Sequence, residues 1–129
     1  MIEATPKLSY WNRKKQDPQY KTKKYCTRNL STAIRHERFP QKLEEQVACD
    51  FPTFKKHIIS QFTSSMTWDT YPRTWTLEHV LPYMFFNLTD DKELKKCMNY
   101  SNLMPLNPKE NIKKSANLSS ILPIHCITL

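Results

Sequence analysis

Glycine is absent from all 129 residues of the chain, where average usage of ~7% would place about nine. Every Gly-rich phosphate loop, of the Walker or the dinucleotide type, is thereby excluded. Left-handed backbone positions are expected to fall largely to asparagine, the next most tolerant residue. Long apolar runs are missing too: the longest is Val80 to Phe86, and it contains Pro82. A transmembrane helix needs ~18 or more apolar residues, so no membrane span is expected. The first residues, Met1 to Pro6, lack the basic-then-apolar order of a secretory signal. An intracellular, reducing compartment, cytoplasm or nucleus, is the expectation. Cys26, Cys49, Cys97 and Cys126 stand far apart with no C-x-x-C pair, so no zinc knuckle is expected. Reduced structural thiols are the main reading, with a disulfide or a site assembled in space as the alternative.

Acidic residues are also scarce. Twelve Asp and Glu face twenty Lys and Arg, a net +8, and such a surplus is matched best by an acidic partner such as nucleic acid. Between Lys7 and Arg28 stand eight basic residues, Lys7, Arg13, Lys14, Lys15, Lys21, Lys23, Lys24 and Arg28, against Asp17 alone. Tyr10, Trp11, Tyr20 and Tyr25 are interleaved with them. Charges that neutralise phosphates beside rings that stack on bases make DNA, or RNA, the expected partner of residues 1–28. A solvated basic arm is the alternative.

Residues 23–48 favour helix, with Leu30, Ala33 and Ile34 on one face and Pro40 breaking the run in two. Asp50 is a good N-cap, Pro52 suits a first turn, and Phe54, Ile58, Ile59 and Phe62 define an amphipathic helix ending near Thr63. His57 reads as a surface or boundary residue. Thr74 to Leu81 reads as a strand. Thr89 is the expected cap of a short helix reaching Met98, and Asn102 to Leu106 forms a second apolar segment. Asn107, Pro108 and Glu110 then open a helix to about Ala116. An apolar tail, 118–129, follows. The expected organisation is α+β, with a basic arm (1–28), a helical region (29–63), a region running strand, strand, helix (64–117) and the tail. If the two strands pair and the helix packs across them, Glu78 at a strand end and Asn111 on the helix can offer two oxygen ligands to a hard divalent ion, with His79 beside them to activate water, while Asn102 starts the second strand. A structural Glu-His pair is the alternative.

The runs TWTLEHVLPYMFFNL and LKKCMNYSNLMPLNPKENIKKS resemble the HNH endonuclease family, with its acid-His pair and following proline, its central Asn-Leu and its helical Asn. FKKHIISQFTSSMTWDTY is similar to the preceding segment in HNH proteins of phages and large DNA viruses. The resemblance covers about half the chain. It implies a ββα-metal fold holding one Mg2+ or Mn2+ ion, with no zinc, and metal-dependent hydrolysis of DNA phosphodiester bonds. Glu78 would be the acidic metal ligand, His79 the catalytic general base, Asn102 the residue bracing the loop between strands, and Asn111 the helical metal ligand. Lys113 and Lys114 would lie near phosphates, and Arg13, Lys14, Lys15, Lys21, Lys23 and Lys24 would hold the nucleic acid. Relatives commonly carry Asp where Glu78 adds a methylene, and often a glycine where this chain has Tyr71, Pro72 and Arg73. A displacement of ~1 Å can cost ~100-fold in rate. The alternative is an HNH-like module that binds nucleic acid or a protein with weakened chemistry. A homodimer or a host protein is a further partner compatible with either.

Overall fold

The computed structural model describes residues 14–109. Among the described residues, a helical stretch at 14–16 is followed by α1 (Pro18–His36), α2 (Gln41–Val47) and α3 (Phe51–Ile59). Strand β1 (Thr76–His79), helix α4 (Asp91–Met98) and strand β2 (Leu103–Leu106) follow, with short 3-10 turns at Trp68–Thr70, Tyr83–Phe85 and Tyr100–Asn102. The architecture is α+β: helices around one antiparallel pair of strands, β1 against β2.

Helix α1 begins where its chemistry allows. The Asp17 side chain accepts the backbone N–H of Gln19 at 3.1 Å, and Pro18 occupies the first turn, where its missing N–H costs nothing. The expected division between a basic arm ending at 28 and a helical region starting at 29 therefore falls inside one continuous helix. Cys26, Leu30, Ala33 and Ile34, spaced by four, three and one, form its buried face. The helix ends at Glu37 in left-handed geometry (φ 56°), and Ala48 (φ 68°) ends α2 in the same way. No asparagine takes a left-handed position among the described residues, contrary to expectation. Both sites are helix C-terminal caps, where backbone bonds from Glu37 N to Ala33 O and from Ala48 N to Glu44 O hold the geometry regardless of side chain.

Helix α3 starts where expected, the Asp50 carboxylate accepting from Thr53 N at 2.9 Å. Bonds from Thr53, side chain first and backbone second, hold the Asp50 carboxyl below its ordinary range. The helix stops at Ile59 rather than near Thr63: the chain turns at Ser60, and Phe62 leaves the helix to pack its ring on Trp75 at 5.2 Å. Asp90, not Thr89, caps α4, because Asn87 already holds Thr89 through bonds from both its N–H and its hydroxyl.

One apolar core joins all these elements. Leu43 and Val47 of α2, Phe51, Phe54 and Ile58 of α3, Leu94, Cys97 and Met98 of α4, Trp75 and Leu103 pack with the buried face of α1. Helix α2 lies on α4, and α3 lies against β2. Trp75 is fully buried, and its indole N–H donates to Thr67 O at 2.7 Å, so the large ring enters the core without an unmet donor. His57 is half-buried on α3, with Nε2 3.3 Å from Leu103 O and its ring edge-on to Tyr100, so it ties the helix to β2. No described helix is long and apolar enough to cross a membrane.

Candidate functional site

The two strands fix the register of the candidate residues: Glu78 lies opposite Met104, and His79 opposite Leu103. The pair is prolonged at the end of β1 by Val80 N donating to Asn102 O at 2.8 Å. Asn102 then closes the exit of β1 with its side chain. Its Oδ1 accepts from Leu81 N at 2.9 Å, and its Nδ2 donates to Leu81 O at 3.2 Å and to Cys97 O at 2.9 Å. One side chain thus joins the loop after β1, the end of α4 and the start of β2.

Glu78 and His79 open onto a cavity of about 1100 Å3. One wall is β1, from Thr76 to His79; the opposite wall is α1, through Gln19, Tyr20, Lys23, Thr27 and Ser31; Lys14 and Asp17 lie just before that helix. Pro108, in the helical turn that follows β2, completes the rim. That turn is pinned by Asn107, whose Oδ1 accepts from Lys109 N at 2.9 Å and whose Nδ2 donates to Thr74 O at 3.1 Å. Glu78 is partly exposed and accepts a long hydrogen bond from Thr76 Oγ1 at 3.4 Å, two residues back on the same strand face. His79 is only 9% exposed, and its ring centroid lies 4.2 Å from that of Tyr83.

Tyr83 was not legible as a site residue. Its hydroxyl shares a 3.3 Å hydrogen bond with Thr27 Oγ1, and Lys23 Nζ stands 5.7 Å from its ring centroid. Burial pushes its phenol up, against the smaller opposing effect of the Thr27 bond, so it remains a neutral group beside His79. Gln19 was missed as well. Its Nε2 donates to Tyr83 O at 3.3 Å and to Phe86 O at 2.8 Å, and its Oε1 accepts from Leu88 N at 2.7 Å. These bonds cross 64 to 69 residues of chain and clamp the loop carrying Tyr83 onto α1. No local spacing signals them.

Of the residues expected to hold nucleic acid, Lys14 and Lys23 line the cavity with Glu78 and His79. Lys23 and Lys24 line a second, adjoining groove, while Lys15 and Lys21 are exposed and line neither. Arg13, Asn111, Lys113, Lys114 and the tail 118–129 lie outside the described residues. Among the described residues no three His, Cys, Asp or Glu side chains cluster as a metal-binding group. The carboxylate adjacent to the His79 imidazole is Glu78, and a second, Asp17, lines the same cavity from the α1 side.

The chain is similar to two uncharacterized proteins of Acanthamoeba polyphaga mimivirus. One is 30% identical over 112 residues, 87% of this chain and 48% of that protein; the other is 31% identical over 100 residues, 78% of this chain and 44% of that protein. The chain spans about half the length of the curated relatives it matches. No family model and no solved structure matches it.

Proposed function

We propose that the chain is an HNH-like, metal-dependent endonuclease acting on DNA, with His79 as general base and Glu78 as metal ligand. The observation that carries this reading is the shared cavity: an acid-His pair at a strand end faces a basic helix across a cleft, with Pro108, three residues before Asn111 in sequence, on its rim. Asn102 supports it by bracing the exit of β1 through three hydrogen bonds, which fits the part the central Asn plays in the resemblance.

Glu78 and Asn111 would hold one Mg2+ or Mn2+ ion. When bound, such an ion neutralises charge developing on phosphate oxygens. His79 would take a proton from a water directed at phosphorus, and its close packing on Tyr83 holds the imidazole in one orientation. Lys14 and Lys23 would attract and position the flanking backbone. The direct test is nicking of supercoiled plasmid with magnesium, manganese or EDTA. Metal-dependent nicking that His79→Ala abolishes while DNA binding persists is the expected result; nicking by that variant at the wild-type rate would remove His79 from the role.

A second reading is favoured by one observation. Glu78 is longer than the usual Asp and bonds its own strand neighbour Thr76, which fits a binding module with weakened chemistry. On that reading no metal promotes cleavage, Glu78→Asp does not restore it, and duplex retardation is the same in EDTA.

A further inference from the structure

The cleft at Glu78 and His79 does not end on α1. Tyr20, Lys23, Thr27 and Ser31 are shared with a second groove of about 650 Å3, whose other lining residues are Lys24, Arg28, Thr32 and Arg35. Lys24, Arg28, Ser31 and Arg35 recur at intervals of four, three and four, which sets them in one row along the helix. The row from Tyr20 to Arg35 covers fifteen residue steps, about 22 Å at ~1.5 Å per residue. Each strand of a duplex advances ~3.4 Å per phosphate along its axis, so several successive phosphates lie within that length.

The charge of this face is one-sided. Helix α1 carries Lys21, Lys23, Lys24, Arg28 and Arg35 and no acidic residue. Arg28 and Arg35 are exposed and enter none of the ion pairs among the described residues. The groove contains a single aromatic ring, Tyr20, and Lys24 Nζ lies 5.6 Å from its centroid. A surface that binds single strands by stacking presents several rings to successive bases. A row of cations and hydroxyls with one ring already engaged is suited instead to a sugar-phosphate backbone.

We infer that the groove on α1 is a duplex-DNA backbone site that continues the path of the substrate away from the Glu78–His79 cleft, with Arg28 and Arg35 as its phosphate contacts. This rests on the nucleic-acid part of the function proposed above, but not on the chemistry at His79. Arg28 belongs to the basic run noted in the sequence and Arg35 lies beyond it; the helix expected over residues 23–48 already held both, and the structure adds the groove that they line together with Tyr20.

The experiment is fluorescence anisotropy of a labelled 20-base-pair DNA duplex, in EDTA, across a salt series, with the full chain. Removing two phosphate contacts in Arg28→Ala/Arg35→Ala should weaken binding roughly tenfold. It should also lower the steepness of log K against log salt by about 2, near 0.9 per contact. Both sites are exposed, so unchanged circular dichroism and Tm are expected. Arg28→Lys/Arg35→Lys should retain the salt slope, and Lys56→Ala, outside both grooves, should bind as wild type. Unchanged affinity and slope in the alanine variant, tighter binding of single-stranded DNA or of an RNA duplex than of the DNA duplex, or no duplex binding by the wild type would each overturn the assignment. Cleavage assayed in parallel separates the two proposals. Nicking that needs His79 beside duplex binding indifferent to Arg28 and Arg35 rejects the groove alone. Binding that needs the arginines without nicking in any metal rejects the nuclease alone.

Discussion

Replacing Asn102 by alanine tests whether one side chain holds the candidate site together. Three hydrogen bonds of 2.9, 3.2 and 2.9 Å disappear at once, and all three end on backbone groups: Leu81 N, Leu81 O and Cys97 O. A typical intramolecular hydrogen bond contributes a net ~1 kcal/mol, and a buried group left without a partner costs ~1 to 3 kcal/mol. Asn102 is partly exposed, so water can reach some of the freed groups, and the total should fall at roughly 2 to 4 kcal/mol. In urea unfolding the midpoint should drop by on the order of 1 to 2 M, for an m-value of ~2 kcal/mol/M. Asn102→Asp discriminates the mechanism, since it keeps the acceptor for Leu81 N but sets a second oxygen against the Leu81 and Cys97 carbonyls. It should be no better than alanine at neutral pH. A loss below about 0.5 kcal/mol for Asn102→Ala, within the scatter of ordinary surface substitutions, would refute the reasoning, because a true brace cannot be removed that cheaply.

Ala48→Gly should stabilise the chain by up to about 1 kcal/mol, because φ 68° is costly for a residue with a Cβ and free for glycine. A thermal melt that shows no gain would mean that the extra freedom of glycine in the unfolded chain offsets the relief. Stability should fall as pH rises above about 9. Burial pushes the Cys97 thiol up to about 12 and the Cys49 thiol up to about 11, with Cys26 and Tyr83 moved the same way. The folded chain then holds protons that the unfolded chain releases from pH ~9 upward, so stability is full below that point and lost through the folded values. Urea midpoints measured from pH 8 to 10.5 check it, and a flat profile would contradict the assigned burial.

Much of the scaffold was written in short-range patterns. Asp50 with Pro52 marked the start of α3, Pro40 separated two helices, and the charge order of residues 90–96 matched α4, because caps and breakers act within one turn. The two strand segments were legible in outline, but their pairing was not: β2, Leu-Met-Pro-Leu, carries no β-branched or aromatic residue, and only the resemblance implied that it lies against β1. The start of α1 was obscured for a physical reason: residues 18–25 contribute no buried apolar side chain, so hydrophobic periodicity is silent there. Their helical state rests on the Asp17 cap, the first-turn proline and the hold of Gln19 on a distant loop. The same blindness hid Tyr83. It stands in an apolar run that reads as core, and only the fold brings its ring onto His79 and its hydroxyl to Thr27.

That arrangement changes what a basic N-terminal segment means here. A detachable arm could be deleted to ask how much of the affinity it carries, with the rest of the protein as an unchanged background. Removal of residues 1–28 from this chain would also take Cys26 out of the core, Gln19 off the loop that carries Tyr83, and Thr27 from the Tyr83 hydroxyl. Lost binding and lost structure would then arrive together and could not be told apart. The opposite faces of α1 do separate them. Cys26, Leu30, Ala33 and Ile34 are buried in the core, whereas Lys24, Arg28 and Arg35 are exposed. Charge on the outer face can therefore be changed with little effect on stability, and it is this division of one helix, rather than a division between arm and domain, that makes the electrostatic contribution measurable.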